Sequence, residues 1–475
     1  MGFLDKIKKP STNNDVTKGK IDDVLLPTIP NGDKAINRGT ALMINNGVDI
    51  CARACSVCWD TKLPDSYEER SKYIGKRAKI GHTSVMEHSN LVIYIEVPTK
   101  EVNEFITLLD TVMYLRVKAR RSKLNPEITY LILGGTWRAY ADLYLQCHEL
   151  YNSAIMKEIT QLVYLYVPAD AVRNIINMGL LEESQFYNTN LSQISGMNNI
   201  YKNTIFPLGE NIDIINCDDL DVLVNNLKVN CPEPELFTRK DLLYFVTITV
   251  NFKNMSRIIT QQLTRHRNGI TQESQRYVNY SRGMFNSPAK FKPDKYDPNF
   301  KYTIKFGSQN FHMNLQELGD AITGIYSQLI DKHSVYNGKH ALALEDARGY
   351  LPSNVRCNTI YITFTWSSFF SFLYLREDPH AQAEIRGYAL TLGKWFRDAF
   401  PKYADTELAL QPSAIEHEDS IWHGTIEVIS DSGNLQSTAP YEEILEEHIE
   451  NYDESKEDPP QEEEAGDITL RHGEY

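Results

Sequence analysis

The sequence predicts an α+β protein built from two related halves, and two observations support this. Residues 130–145, YLILGGTWRAYADLYL, and residues 361–375, YITFTWSSFFSFLYL, share a strand, a break, a helix and a closing Leu-Tyr-Leu. The predicted strands and helices around these two segments also follow a similar order. Alternating apolar residues indicate strands, and a 3.6-residue period indicates helices. We therefore interpret the chain as a tandem duplication.

The elements of the first half follow a polar stretch. A helical pattern runs from about Asp33 to Trp59 and continues from Tyr67 to Ile80. The alternating run NLVIYIEVP predicts a strand that ends at a proline, and EVNEFITLLDTVMYL has helical spacing. The basic run KARRSK is interpreted as a solvated loop. EITYLIL predicts a second strand that a Gly-Gly pair breaks before the next helix.

The second half repeats this alternation. DLLYFVTITVNF predicts a strand, NMSRIITQQL a helix, and the residues after it a polar loop. NTIYITFTW predicts another strand, and SSFFSFLYLRE predicts a helix with Ser367 as its N-cap. The following helix ends at Pro401.

Composition divides the chain into six predicted segments. Asn, Asp and Gly are frequent between about Met197 and Pro234. From Tyr441 to Tyr475 there are fourteen acidic residues, and the basic residues are Lys456 and Arg471. Such an acidic segment is typical of a solvated, disordered tail. The predicted segments are a flexible N-terminal arm (1–35), a degenerate first half (36–196), a connector (197–235), a second half (236–405), a C-terminal extension (406–440) and an acidic tail (441–475).

The overall composition excludes several classes of protein. The chain has 475 residues with 42% apolar and 24% charged residues, which excludes collagen-like and wholly disordered proteins. No apolar run approaches the ~18 residues that span a bilayer, and the N-terminus lacks the apolar stretch of a secretion signal. Seven cysteines without such a signal predict reduced thiols. We expect a cytoplasmic protein without membrane or nucleic-acid partners.

The densest cluster of polar residues lies in the second half. Guanidinium groups suit phosphates and carboxylates, although a solvated basic loop or an internal salt-bridge cluster is an alternative interpretation. The cluster consists of Gln262, Arg265, His266, Arg267, Glu273, Ser274, Gln275, Arg276 and Tyr277.

The motif R-H-R followed by Q-E-S-x-R-Y resembles the signature of the flavin-dependent thymidylate synthases. Three further segments follow the order of that family: GHTSVMEH, DARGYLP and FLYLREDPHAQAEIR. The first half lacks R-H-R and the second half lacks H-x-S-x-x-E-H. The resemblance therefore indicates a divergent, duplicated member. It implies that each half is a mainly antiparallel sheet packed with helices.

The resemblance also implies the roles of individual residues. FAD would be bound by His82, Ser84, Arg138, Arg265, His266, Arg267, Glu273 and His380. Deoxyuridylate would be bound by Gln262, Arg265, Glu273, Ser274, Gln275, Arg276, Arg348 and Arg376. The catalytic residues would be Arg376, Glu273 and Ser274.

The implied reaction is methylation of deoxyuridylate to thymidylate with methylene-tetrahydrofolate and NADPH. A methyl donor attacks only an electron-rich uracil ring, and a guanidinium beside the ring stabilises the developing charge. The family forms homotetramers, so a two-half chain would form a dimer that mimics the tetramer. His82, Ser84 and Arg138 of the first half would then complete a site on the second.

Three alternatives stay open at the level of sequence. A related flavin enzyme could hydroxymethylate or methylate another pyrimidine nucleotide. A non-catalytic scaffold could bind a nucleotide through the same arginines. Finally, the spacing of Cys51, Cys55 and Cys58 matches iron–sulfur ligation, although cysteines are also common as small buried apolar residues.

Overall fold

The structure is a computed structural model that places most of both halves. The described residues are 39–109, 112, 114–146, 159, 163, 205–266, 269–281, 292, 295–333, 340–404, 428–429 and 435–436. The predicted N-terminal arm and acidic tail lie outside them. None of the described helices has the length and apolarity needed to cross a membrane.

The first half contains a four-stranded antiparallel sheet in the order β1-β2-β4-β3. Its strands are β1 (Gly39–Ile44), β2 (Leu91–Pro98), β3 (Leu115–Arg121) and β4 (Ile128–Gly135). Its helices are α1 (Gly47–Trp59), α2 (Tyr67–Lys79), α3 (Thr99–Leu109), α4 (Trp137–Gln146) and a 3₁₀ helix, Thr83–His88. Leu91 to Ile95 of β2 are all buried, because helices and the other half cover both faces of this strand.

The second half contains a five-stranded antiparallel sheet in the order β5-β6-β7-β11-β8. These strands are β5 (Phe206–Pro207), β6 (Ile212–Cys217), β7 (Thr247–Ser256), β8 (Gly269–Gln272) and β11 (Arg356–Thr365). A separate hairpin is formed by β9 (Tyr302–Phe306) and β10 (Gln309–Met313). The helices are α5 (Leu220–Asn230), α6 (Arg239–Leu242), α7 (Arg257–Thr264), α8 (Leu315–Ile330), α9 (Leu344–Ala347), α10 (Trp366–Glu377), α11 (Ala383–Ala399) and α12 (Pro401–Ala404), with 3₁₀ helices Pro234–Leu236 and Arg348–Tyr350.

The described residues 428–429 and 435–436 belong to a separate unit. Within it, β12 (Val428–Ile429) pairs with β13 (Leu435–Gln436) in an antiparallel hairpin.

The two sheets have the same topology, which confirms the prediction of two related halves. The order β1-β2-β4-β3 matches β6-β7-β11-β8, and all neighbouring strands are antiparallel. Equivalent helices follow equivalent strands: α1 and α5, α3 and α7, and α4 and α10. In both halves a Thr-Trp pair, Thr136-Trp137 and Thr365-Trp366, stands at the junction from strand to helix.

A pair of hydrogen bonds also occurs twice. The backbone N–H of Asn45 donates to the carbonyl of Asn90 (3.1 Å), whose own N–H donates to Asn45 Oδ1 (2.8 Å). In the second half Asp218 N–H donates to the carbonyl of Thr247 (2.9 Å), whose N–H donates to Asp218 Oδ2 (2.9 Å). Each pair joins the end of a first strand to the start of its neighbour. This detail supports an internal duplication.

The segment 197–235 is not a simple connector. Its described part contains β5, β6 and α5, which are the first strand pair and helix of the second sheet. Leu220, Leu223 and Leu227 of α5 are buried in the core. The polar composition concealed these elements because β6 is a short strand whose partner, β7, lies about thirty residues later.

Four further details differ from the sequence-based expectation. The helical pattern from Asp33 to Trp59 begins with a strand, β1, in its described part. The basic run after Val117 is part of β3 and not a loop. Both glycines of the Gly-Gly pair lie inside β4. Thr365, not Ser367, caps α10, because its hydroxyl accepts from the N–H of Ser368 (3.0 Å).

The halves share a hydrophobic core. Val92 and Ile132 of the first sheet belong to the same buried cluster as Val250 and Ile362 of the second. Burial of apolar area on this scale is the main stabilising contribution to folding. The two halves therefore form one packed body and not two independent domains.

Each half also inserts a residue into the other sheet. His88 is fully buried, and Thr363 Oγ1 and Thr271 Oγ1 of the second sheet lie 3.0 and 2.8 Å from its ring nitrogens. In the opposite direction, Phe245 packs on Gly134, where an added Cβ would lie only 2.5 Å from the phenylalanine ring. Gly134 is therefore required for close approach of the halves.

Basic residues of β3 bind an acidic residue of the second half. Lys118 Nζ and Arg120 Nη2 each lie 2.9 Å from a carboxylate oxygen of Asp241. Burial acts to raise the pKa of Asp241, but these two cations and the Thr238 N–H lower it overall. The basic run was misread as a loop because its partner lies more than 100 residues away.

The buried position of His88 predicts acid-dependent stability. Burial lowers its pKa to about 3, so below pH ~6.5 the unfolded state binds a proton that the folded state does not. The free energy of unfolding should therefore fall by up to ~1.4 kcal/mol for each pH unit between about 6.5 and 3. His88→Gln should flatten this dependence in denaturant titrations, whereas exposed His312→Gln should not. An unchanged pH slope in His88→Gln would contradict the assignment.

Candidate active site

The centre of the candidate site is a contact between two motifs distant in sequence. Arg376, in the last turn of α10, donates from Nε to Nε2 of His266 at 3.1 Å. His266 follows the C-terminus of α7. The structure therefore brings His266 of the R-H-R motif next to Arg376 of the FLYLREDPHAQAEIR segment.

His266 fixes Arg376 without adding positive charge. Burial, and secondly the charge of Arg376, lower the pKa of His266 to about 3. Because Nε2 accepts a hydrogen bond, the proton of the neutral ring is on Nδ1. The ring also packs edge-on against Phe372, with 5.3 Å between centroids. These contacts hold the plane of the Arg376 guanidinium.

The H-A-Q-x-E-I-R segment supports the same region. Gln262 of α7 donates from Nε2 to Oε1 of Gln382, the residue before α11. Glu384 is buried, and its carboxylate accepts from Ser256 N–H and Ser256 Oγ, both at 2.7 Å. Ser256 is the last residue of β7 and precedes α7. The motif therefore fixes the start of the helix that carries Gln262.

We call residues 273–277 the nucleotide loop, because the sequence resemblance predicts that four of them bind deoxyuridylate. Glu273 N–H donates to the carbonyl of Thr359 (3.2 Å), and the N–H groups of Tyr277 and Val278 donate to the carbonyl of Ser274 (3.1 and 3.0 Å). Glu273 and Gln275 are buried, Ser274 is half-buried, and Arg276 and Tyr277 are exposed. The backbone of the loop is thus fixed with one guanidinium facing solvent.

Two arginines predicted to bind deoxyuridylate meet at Glu345. Arg276 lies with both Nε and Nη2 at 3.0 Å from Glu345 Oε2, and Arg348 Nε donates to the carbonyl of Glu345 (3.1 Å). All three residues are exposed. Two guanidinium groups near each other on an accessible surface suit a phosphate monoester.

Arg138 of the first half is linked through Glu87 to β8, the strand that follows the R-H-R motif. It forms an ion pair with buried Glu87, and its Nε is 3.6 Å from Asp142. Burial raises the pKa of Glu87 to about 7, against the opposing effect of Arg138. The Glu87 carbonyl packs on Gly269, where an added Cβ would lie 2.6 Å from it. The first half therefore contributes charged groups at the start of β8.

His82 contacts residues of its own half. Nδ1 of His82 accepts from Trp59 Nε1 at 3.2 Å, and Cys58 Sγ lies 3.8 Å from Nε2. Trp59 stacks on Tyr277 of the nucleotide loop, with 4.5 Å between ring centroids and 12° between the planes. Burial, followed by the charge of Arg77, lowers the pKa of His82.

The other predicted residues have simpler surroundings. Ser84 is half-buried in the 3₁₀ helix, and Arg265 is exposed at the end of α7. His380 is exposed, with its Nδ1 at 2.9 Å from Asp378. Arg267 lies outside the described residues.

Three neighbours of the site were not singled out from the sequence: Trp59, Glu345 and Gln382. Gln382 lies inside a motif that the resemblance had already located. Glu345 lies three residues before Arg348, within reach of the same helical turn. Nothing in the local sequence of Trp59 indicated that it would contact a loop more than 200 residues later.

The three closely spaced cysteines lie on α1 and are buried. Burial raises the pKa of Cys51 well above its usual value, raises that of Cys55 to about 12, and also raises that of Cys58. Metal ligation requires thiolates, which this environment disfavours. Within the described ranges, no group of three or more His, Cys, Asp or Glu residues could hold a metal ion.

Comparison with known proteins gives one family match. Residues 240–402 match the family model described as thymidylate synthase complementing protein. Two solved structures of thymidylate synthase X from Helicobacter pylori, both with FAD and dUMP, are similar at 16% and 15% identity. They cover 44% and 41% of this chain and 100% and 96% of their own, with TM-scores of 0.28 and 0.27. A search of curated proteins finds no match.

Proposed function

We propose that this chain methylates deoxyuridylate to thymidylate, because residues 240–402 match the family model described as thymidylate synthase complementing protein. The proposed cofactor is FAD, with methylene-tetrahydrofolate and NADPH as co-substrates. The observation that carries the proposal is the contact between Arg376 and His266, since it joins two motifs of the family at one point.

The chemistry of the available donors fits two anionic ligands. Arg265, Arg276 and Arg348 are exposed cations, and Arg376 is half-buried against His266. Guanidinium groups bind phosphates through paired N–H donors, as both FAD and deoxyuridylate require. Arg265, His266 and Arg267 would hold FAD together with His82, Ser84, Arg138, Glu273 and His380.

The residues of the chain would bind and polarise the nucleotide. Bound flavin would supply the one-carbon transfer and the reducing hydride. Arg276 and Arg348 would bind the phosphate, while Gln262, Ser274 and Gln275 would orient the pyrimidine. Arg376, held in plane by neutral His266, would stabilise negative charge on the uracil ring.

The location of Arg138 predicts a role in flavin retention. Arg138→Ala should weaken FAD binding by about tenfold, because the buried Glu87 carboxylate beside Gly269 would lose its cation. The bound fraction can be measured from visible flavin absorbance after gel filtration. Arg239→Ala, which removes an exposed arginine that is also ion-paired, is the control. Equal flavin occupancy in Arg138→Ala and in this control would refute the role.

The proposed function also implies an oligomeric state and a cellular location for this chain. Members of the family form homotetramers, and this chain contains two related halves. We propose that two chains associate as a dimer that imitates such a tetramer, in the cytoplasm. The first half would thereby contribute His82, Ser84 and Arg138 to sites on the second.

Mass analysis of the nucleotide product tests the proposed reaction. The purified protein is incubated with FAD, deoxyuridylate, methylene-tetrahydrofolate and NADPH. A gain of one methyl group supports the proposal, whereas an added hydroxymethyl group would instead indicate a pyrimidine hydroxymethylase. An unmodified nucleotide, together with the absence of bound flavin, would indicate a nucleotide-binding scaffold.

A further inference from the structure

We infer that Trp59, a residue of the first half, is a positioning residue that sets the affinity of the nucleotide loop for its ligand. The inference rests on the proposed function, because it takes residues 273–277 as the binding loop for a pyrimidine nucleoside monophosphate. It differs from the proposed flavin role of the first half, since it concerns the nucleotide.

The first line of evidence is the aromatic stack. Trp59 and Tyr277 are nearly parallel, with 4.5 Å between ring centroids. The guanidinium carbon of Arg77 also lies 4.2 Å from the centroid of Trp59. Stacked aromatic pairs and cation–π contacts add to the stabilisation that comes from buried area alone. The Trp59 ring therefore joins α2 of the first half to the loop of the second.

The second line of evidence is the fixed orientation of the indole. Trp59 Nε1 donates to Nδ1 of His82 at 3.2 Å, so the neutral imidazole has its proton on Nε2. Trp59 is also the last residue of α1, and Asp60, in the left-handed conformation (φ 48°), caps this helix through its N–H. The ring is thus held both by its own helix end and by a hydrogen bond.

The third line of evidence is a backbone contact at the other end of the loop. The carbonyl of Cys58, adjacent to Trp59, accepts from Ser274 N–H at 3.1 Å. Two consecutive residues of α1 therefore hold the loop at Ser274 and at Tyr277. Between these two points lie Gln275 and Arg276, which are proposed to contact the nucleotide. A shift of the end of α1 would move both of them.

These contacts give the first half a role in positioning the nucleotide loop, although this half has no R-H-R motif of its own. If the first half served only to stabilise the fold, the end of α1 would not have to contact the loop that carries Arg276. Positioning errors of about 1 Å in substrate-binding groups cost catalytic efficiency. The geometry therefore indicates a binding site of the second half that depends on a side chain of the first.

Calorimetric titration of the full-length, flavin-loaded protein with deoxyuridylate tests the inference. Trp59→Ala should weaken nucleotide binding by about tenfold, which corresponds to the loss of one stacked aromatic contact and the ordering it provides. Trp59→Phe keeps an aromatic ring against Tyr277 but loses the hydrogen bond to His82, so its affinity should lie between those of the wild type and Trp59→Ala. The KM for deoxyuridylate should rise in Trp59→Ala with little change in kcat, both measured per flavin-loaded chain.

Phe300→Ala is the matched control, since it removes an exposed aromatic contact with Tyr302 on the hairpin and leaves the loop untouched. If Trp59→Ala fails to fold in thermal denaturation, Arg77→Met decides, with about threefold weaker binding expected from loss of the cation–π contact. Wild-type affinity in a folded Trp59→Ala overturns the inference but not the proposed function. If Trp59→Ala does not fold, wild-type affinity in Arg77→Met has the same consequence. A wild-type protein that binds no deoxyuridylate overturns the proposed function as well.

Discussion

Arg376→Ala is expected to lower the rate of thymidylate formation by about 10²- to 10³-fold, the range typical of losing one preorganised donor at a developing anion. The guanidinium is held in place by His266, whose ring is neutral and adds no competing charge. Binding of deoxyuridylate should weaken much less than the rate, because the phosphate is assigned to Arg276 and Arg348. Single-turnover formation of thymidylate by the flavin-loaded variant measures the effect.

Two further variants make this prediction specific. Arg376→Lys retains the charge but loses the planar Nε donor to His266, so its rate should lie between those of the wild type and Arg376→Ala. Arg397→Ala removes a nearby exposed arginine that is paired with Glu377, and it should leave the rate within about twofold. A rate for Arg376→Ala close to that of Arg397→Ala would contradict the assigned role.

Asp218→Ala is expected to lower the free energy of unfolding by about 3 kcal/mol, because several buried donors would lose their acceptor. Its carboxylate accepts from Thr247 N–H (2.9 Å), Thr247 Oγ1 (2.7 Å), Asn90 Nδ2 (3.0 Å) and Asn216 Nδ2 (2.9 Å). The bond from Asn90 crosses from the first half to the second. The loss can be measured by denaturant unfolding.

Two control variants distinguish the loss of the Asp218 hydrogen bonds from a general effect of removing a negative charge on stability. Asp218→Asn keeps an acceptor oxygen and should lose roughly half as much stability. Asp65→Ala removes an exposed carboxylate paired with Lys62 and should change the free energy by less than about 0.5 kcal/mol. Equal stability of Asp218→Ala and Asp65→Ala would show that the junction does not depend on this carboxylate.

Elements with strong local patterns could be predicted from the sequence. The apolar runs of β2, β4 and β11 and the amphipathic spacing of α3 and α11 follow directly from burial on one face or on both. The duplicated topology was also predictable, because strand, break and helix recur in the same order.

Elements stabilised by distant partners could not be predicted in this way. β3 presents Lys118 and Arg120 to Asp241 of the other half, so its charged residues resemble a solvated loop. β6 is short and is flanked by polar residues, and its strand character depends on pairing with β7. In both cases tertiary contacts override local preference.

The candidate site likewise contains features that the sequence predicts and features that depend on distant contacts. The motif resemblance implied that His266 and Arg376 belong to one site, but it did not predict the hydrogen bond that joins them across 110 positions. It did not predict the stack of Trp59 on Tyr277 or the meeting of Arg276 and Arg348 at Glu345. Such contacts are set by packing between elements, which single-sequence patterns do not encode.

The most direct measurement is a crystal structure of the full-length protein with FAD and deoxyuridylate. The account predicts the nucleotide with its phosphate at Arg276 and Arg348, its uracil ring beside Arg376, and the flavin beside the R-H-R motif. A nucleotide bound elsewhere, with Arg276, Arg348 and Arg376 directed toward separate regions of solvent, would contradict it.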